Sequence, residues 1–430
     1  MSKKNSINYL YENEILCFKS YINEFSPELY QEFNLKSEKI GLQSQIDNLF
    51  SGKKVNNTEG LAAWHPKYRK EHSITNTNIK FFDLVQSAAN IVTIGIGGSF
   101  EGPKLLIESE GNTVLNHIFI TGSDPQEFIE KMNKLKSNET IFIVSSKSFT
   151  TKETIETLNN AIDWSGSDMK RFIAITANKP EALKYNIKNI VEFDKEIGGR
   201  YSIWSDISLP AEWENNVELK DKFIMGGKQA DIDLYKDYDY LKFVKTLAFS
   251  DIWLHNYKNK RSRAVLSYIW KFRSFPNYVQ QLEMESLGKR PSEESEFKRT
   301  GQIIFGGYGP TAQHSYFQLL HQGTHDICAD IIACKDNSNS LAYAQAITQT
   351  KLLSYGANDL LKNEEKINGN IPSNLFLINN VDSYSLGYLT ATWEHRIYIT
   401  AVMLGINPFD QFGVSAGKIY TQKYIKENGG

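Results

Sequence analysis

Cysteine is scarce in this chain. There are three in 430 residues, Cys17, Cys328 and Cys334. They are too few and too scattered to staple a fold, which excludes a disulfide framework and fits a reducing cytoplasm. An excess of charge is also missing. The 48 basic and 50 acidic residues leave a formal charge of −2. No global field therefore draws the chain to nucleic acid or to an anionic membrane, and any anion site has to be local. Long apolar runs are absent as well. The opening "MSKKNSINYLYENEILCFKSY" interrupts its apolar residues with Asn, Glu and Lys, so it holds no signal-peptide core. "ITAVMLGI" at 399–406 is far too short to span a bilayer. No short-period repeat or low-complexity segment occurs. The expectation is a soluble, cytoplasmic protein. Its 41% hydrophobic and 23% charged residues are ordinary for one, and its length suits two or three domains with large cores.

What the sequence does contain is alternation. "NIVTIGIGGS", "HIFITGSD", "TIFIVSSKS" and "RFIAITANK" are short runs rich in Ile, Val and Phe that end in small or polar residues. Helical patterns such as "DPQEFIEKMNKLK" and "TTKETIETLNNAIDW" separate them. The theme returns after residue 240 with "GQIIFGGYG" and "NLFLINN", separated by "QHSYFQLLHQG", "LAYAQAITQTKLLSYG" and "SLGYLTATWEHRIYITAVMLG". Strands alternating with helices predict parallel sheets flanked by helices. We expect a polar helical segment over 1–54 and two tandem α/β domains, over 55–220 and 221–430. In such sheets ligands bind beyond the carboxyl ends of the strands.

Four stretches carry chemistry. "GIGGSFEGP" (95–103) follows a strand but has Phe100 where the dinucleotide fingerprint needs its last glycine. "GVSAGKI" (413–419) is one residue short of a phosphate-binding Walker loop. Nucleotide binding is therefore not expected. What remains at Gly98 and Ser99 is either a tight strand-to-helix turn or a backbone-lined approach for a small ligand. "VSSKSFTTKET" (144–154) leaves a strand and enters a helix, with Thr150 and Glu153 at capping-box spacing. Ser146, Lys147, Ser148 and Thr151 then set hydroxyls, one ammonium and free N–H groups where a phosphate monoester would bind. "EIGGRYSIWS" places Arg200 after two glycines, free to reach an oxyanion or to stack on Tyr201 or Trp204.

The fourth stretch is "QQLEMESLGKR" (280–290). Helical spacing puts Tyr278, Gln281, Leu282 and Glu285 on one side and Glu283 roughly opposite, with Asn277 as a candidate cap and Gly288 as a candidate stop. A carboxylate among apolar neighbours is costly unless satisfied or used. Glu285 either reaches water from a half-exposed helix or faces a cavity. His321 and His325 have zincin spacing but no intervening Glu, so no metal is expected.

Taken together, seven segments resemble the phosphoglucose isomerase family. In chain order they are "NNTEG…H…R" (56–69), "GIGGS…GP", "SKSFTTKET", "GGRYSIWS", "QLEMESLGK", "AQHSYFQLLHQGT" and "DQFGVSAGK" (410–418). The resemblance covers residues 55 to 420. It implies two sugar-isomerase-type domains, interconversion of glucose 6-phosphate and fructose 6-phosphate through an enediol, no cofactor, and a homodimer whose active site is shared between subunits. On that resemblance Glu285 is the base, Arg200 stabilises the intermediate, and His314 with Lys418 opens the ring. Gln281, Gln411, Gly98 and Ser99 line the sugar, while Ser146, Lys147, Ser148 and Thr151 hold its phosphate. The chain departs from the family pattern at Leu61, Ser148, Leu287 and the loop Gly309-Pro310-Thr311-Ala312 before His314. A sensor that kept the phosphate loop without the chemistry, or an isomerase of another sugar phosphate, are the competing functions.

Overall fold

The computed structural model describes residues 8–72, 81–111, 113–213, 217–357, 359 and 362–428. Among them the strands are, in chain order, β1 Tyr9–Glu12, β2 Leu16–Ser20, β3 Asn90–Ile94, β4 Asn116–Ile120, β5 Thr140–Ser145, β6 Phe172–Thr176, β7 Asn189–Glu192, β8 Ser262–Ser267, β9 Ile303–Tyr308, β10 Ile327–Cys334 and β11 Ser373–Ile378. They form two sheets. The first has the order β4-β3-β5-β6-β7, and every pair in it is parallel. Its middle strands β3, β5 and β6 are buried along their whole length. That is why they read as unbroken apolar runs rather than alternating ones.

The second sheet has the order β1-β2-β11-β10-β8-β9. Strands β8 to β11 pair in parallel, whereas β2 pairs antiparallel with β11 and β1 antiparallel with β2. The fold is α/β with mainly parallel sheets flanked by helices. The N-terminal expectation needs correcting, because that segment is helical only from Pro27–Lys39 onward. Before that it makes a hairpin on the far sheet. The polar residues that obscured it form the turn: Asn13 Oδ1 accepts the Ile15 and Leu16 N–H groups at 2.9 and 2.8 Å, a local side-chain turn that Asn favours.

Two long helices, Val217–Lys236 and Ser383–Leu404, pack against each other with almost no side-chain spacing at two points. A Cβ on Gly226 would lie 1.9 Å from the Tyr384 carbonyl oxygen, and one on Gly387 would lie 1.9 Å from that of Phe223. Residue 220, the expected domain boundary, falls in the first turn of the earlier helix. Ser383–Leu404 is buried along nearly its entire length, so its charged residues are paired internally. Arg396 binds Asp251 at 2.6 Å and Asp330 at 2.8 Å. Arg263 binds Asp251, Asp330 and Glu283. Among the described residues no helix is long and apolar enough to cross a membrane.

Candidate active site

The helix Phe275–Leu287 carries the central carboxylate. Ser274 rather than Asn277 occupies its N-cap, because Pro276 already sits in the first turn, where its missing N–H costs nothing. Gly288 ends the helix as expected. One face is fixed by Glu283, which is buried, pairs with Arg263 and accepts the Trp393 indole N–H at 2.7 Å. Glu283 does point away from Glu285, but into the protein. The periodicity could not reveal this, since its partner lies on β8. Anchoring that side presents Gln281 and Glu285 on the other, one turn apart, and Gln281 Nε2 donates to Glu285 Oε2 at 3.2 Å.

Arg200 meets them from the 3₁₀ turn Gly199–Trp204. Its side chain is 1% exposed and that of Glu285 29%. Its guanidinium is fully engaged. Nη1 donates to Glu285 Oε2 at 3.1 Å and to Gln411 Oε1 at 2.9 Å. Nη2 donates to the carbonyls of Pro408 and Asp410 at 2.6 and 2.8 Å, and Nε to Ser286 Oγ at 2.9 Å. The planar fork is thus locked by backbone on one edge and faces the carboxylate with the other. Stacking is secondary, with Arg200 lying 5.8 Å from the Tyr201 ring centre, while Trp204 is stacked by Arg69.

The glycine turn after β3 closes against this group. Gly97 has φ +62°, and a Cβ there would lie 2.9 Å from Gln281 Nε2. A Cβ on Gly98 would lie 1.8 Å from the Gly199 carbonyl oxygen. Gly97 is therefore required by its left-handed backbone and Gly98 by close approach to backbone, and they bring the turn against the loop of Arg200 and the helix of Glu285. Ser99 stands in the first turn of Gly98–Glu110, beside Gly95, whose own Cβ position faces the Ser145 carbonyl at 2.9 Å. The loops after the adjacent parallel strands β3 and β5 are therefore neighbours.

The loop after β5 differs in one detail from the expectation. Thr151, not Thr150, is the N-cap of Lys152–Trp164, and its hydroxyl does not cap the helix. Thr150 instead donates to Ser148 Oγ at 2.8 Å. The Phe149 N–H donates to Ser146 Oγ at 3.1 Å, with Phe149 buried and left-handed at φ +54°. Lys147 is half-buried, and none of the ion pairs among the described residues includes it. Burial, with Arg200 adding to it, pulls its ammonium below the ordinary lysine range, against the fields of Glu59, Glu196 and Asp194. A desolvated ammonium beside a helix N-terminus is suited to an anion.

His314 follows the short helix Gly309–Ala312 at the end of β9, and Lys418 lies on Phe412–Glu427; both are exposed. Among the described residues neither side chain bonds to the Glu285 cluster. Gln411, immediately before the second helix, does. Hence one chain assembles Gln281, Glu285, Arg200, Gln411 and Gly98, sets the loop Ser146–Thr151 next to them, and leaves His314 and Lys418 outside. His321 Nε2 is engaged by Gln349 Oε1 at 2.8 Å.

Two residues escaped the sequence reading. Lys289 and Asp410, 3.4 Å apart, border a cavity of about 880 Å³ that Glu285 and Gln411 also line. Both stand inside quoted segments, "QLEMESLGK" and "DQFGVSAGK", but only the tertiary fold shows that they meet.

The sequence model of the family described as Phosphoglucose isomerase matches residues 82–429. The chain is 34% identical over 421 residues to a glucose-6-phosphate isomerase of Legionella pneumophila (strain Paris), covering 89% of this chain and 83% of that one. It is 31% identical to the glucose-6-phosphate isomerase of Wigglesworthia glossinidia brevipalpis, covering 98% and 90%. A solved glucose-6-phosphate isomerase structure from Chlamydia trachomatis D/UW-3/Cx superposes with a TM-score of 0.88 at 24% identity, over 97% of this chain and 89% of that one.

Proposed function

This chain belongs to the phosphoglucose isomerase family, and from that premise we propose that it interconverts glucose 6-phosphate and fructose 6-phosphate by proton transfer through an enediol. The observation that carries the reading is the hydrogen-bonded set Gln281–Glu285–Arg200–Gln411, placed beside a hydroxyl-rich loop whose ammonium has no ion-pair partner among the described residues. Aldose–ketose isomerisation needs one base that takes a proton from one carbon and returns it to the next. Glu285 has the position for this, with an anchored helix behind it and a cavity in front. Negative charge develops on the enediolate oxygens, and a cation that does not reorganise stabilises them best. Arg200, fixed by two backbone carbonyls and Ser286, supplies that cation.

Ser146, Lys147, Ser148 and Thr151 hold the phosphate, and that grip on the non-reacting end orients the reacting carbons. Gly98 and Ser99 line the sugar, and Gln281 and Gln411 contact its hydroxyls. His314 and Lys418 open the ring. Their exposure within one chain supports a homodimer in which His314 reaches the neighbouring subunit's site. Three unpaired, buried thiols suit the cytoplasm. Conversion of fructose 6-phosphate to glucose 6-phosphate by the purified protein, coupled to a dehydrogenase specific for the product, tests the reading. Steady turnover is expected. Its absence, or faster turnover of mannose 6-phosphate than of glucose 6-phosphate, would refute it.

A further inference from the structure

Asp410 immediately precedes Gln411, and both of its carboxylate oxygens are held. Thr58 Oγ1 donates to Oδ2 at 2.8 Å, and Lys289 Nζ faces Oδ1 at 3.4 Å. Lys289 also donates to the carbonyls of Asn407 at 2.8 Å and Ser286 at 3.2 Å. Asn407 Nδ2 in turn donates to Asn56 Oδ1 and Thr58 Oγ1 at 2.8 and 2.7 Å. One ammonium therefore ties three pieces of chain: the end of the helix bearing Glu285, the 407–411 segment, and, through Asp410, the 56–59 turn. The 407–411 segment is what orients Arg200, through the Pro408 and Asp410 carbonyls and Gln411 Oε1.

Resting on the isomerase reading of this site, we infer that Lys289 is a positioning residue for the reaction: it clamps the 407–411 segment against the Glu285 helix, so that the guanidinium of Arg200 keeps its aim at the reacting carbons. Thr58, from the "NNTEG" motif, is the other jaw of the clamp. Burial, followed by the field of Arg200, lowers the Lys289 ammonium to about 8, against the pull of Asp410 and Glu285. Among the described residues those three charged groups face it, from the 3₁₀ turn, the 407–411 segment and the helix that ends just before it respectively. The clamp is therefore closed below that pH and opens as pH rises through it.

The test is steady-state kinetics of fructose 6-phosphate conversion by the full-length protein and its Lys289→Met, Lys289→Arg, Thr58→Val and doubly substituted Lys289→Met/Thr58→Val variants, each with its melting temperature. Misaiming Arg200 by a fraction of an ångström should lower kcat of Lys289→Met by roughly 10–100-fold. KM should stay within about twofold, because the phosphate loop is untouched. Lys289→Arg keeps a cation that does not titrate, so it should retain most of kcat and lose the decline of kcat above about pH 8. Losses from Lys289→Met and Thr58→Val should combine to less than their product, because both act through Asp410. Unchanged kcat in a folded Lys289→Met protein, loss shared equally by kcat and KM, or fully multiplicative losses would overturn the clamp. If Lys289→Met does not fold, unchanged kcat in Thr58→Val together with an unshifted alkaline limb in Lys289→Arg overturns it. Absence of turnover by the unmodified protein refutes the isomerase reading itself, and the clamp with it.

Discussion

Arg200 and Lys147 both belong to the proposed site, yet their surroundings suit them to different tasks. Every N–H direction of Arg200 is occupied by a protein acceptor, which suits a group that must not move while charge develops nearby. Lys147 has its hydrogen-bonding capacity in reserve, and burial already lowers the pKa of its ammonium. A bound phosphate dianion would restore what burial takes away. Lys147→Met is accordingly expected to raise KM for sugar phosphates by roughly 10–100-fold, in line with the loss of a desolvated charge-assisted contact, while kcat falls less. The sign of the pH effect follows from the lowered pKa. Lys147 loses its proton at a lower pH than an ordinary lysine, so substrate affinity should weaken on the alkaline side before free lysines titrate. Titration of inhibition by inorganic phosphate between neutral and alkaline pH reads this directly. Affinity that is flat with pH would count against the loop as the phosphate site.

At the scale of elements, the helix Phe275–Leu287 is aimed by what it buries. Glu283 on one face pairs with Arg263, and Arg263 also holds Asp251 at 2.5 Å. The Asp251 carboxyl lies below the usual range: burial opposes this, but the fields of Arg263 and Arg396 outweigh it. Arg263→Met leaves buried Glu283 without its ion-pair partner, while Asp251 and Asp330 keep Arg396, and should cost about 3–5 kcal/mol, the usual penalty for breaking a buried pair from one side. Chemical denaturation measures that cost. A variant as stable as the parent would show that the network does not hold the helix. The same network explains what the sequence did and did not disclose about the fold. β3, β5 and β6 are legible because both faces of their sheet are covered and they contain little but apolar residues. β8 and β10 are not, because each carries a charge in a buried strand, Arg263 and Asp330, which face each other at 3.4 Å. Periodicity assigns a lone charge to the surface, and only the neighbouring strand reveals otherwise. Motif order brought out Glu285, Arg200 and Gln281, whereas Lys289 and Asp410 become visible as a pair only when two distant segments are folded together.

At the scale of the molecule, one chain brings Gln281, Glu285, Arg200 and Gln411 together and leaves His314 and Lys418 exposed. If His314 serves the neighbouring subunit, two crippled chains can repair each other. A Glu285→Gln chain still offers its histidine, and a His314→Ala chain still offers its glutamate. Each mixed dimer would then hold one intact site and one doubly defective one. Random re-pairing should restore about a quarter of the sites, from the two-fold symmetry of a dimer. Dissociating and reassociating an equimolar mixture, then assaying it, checks this. Activity no greater than the mean of the two variants would place His314 and Glu285 in service of the same subunit or of none.

The most direct measurement is on Glu285 itself. Turnover of the Glu285→Gln protein should fall by at least about a thousandfold, within the range for loss of a positioned base. The affinity for fructose 6-phosphate, determined by calorimetry on the same preparation, should stay within a few-fold of the parent because the phosphate loop is intact. Turnover close to that of the unaltered enzyme would contradict the assignment of a single shuttling carboxylate and the mechanism built on it.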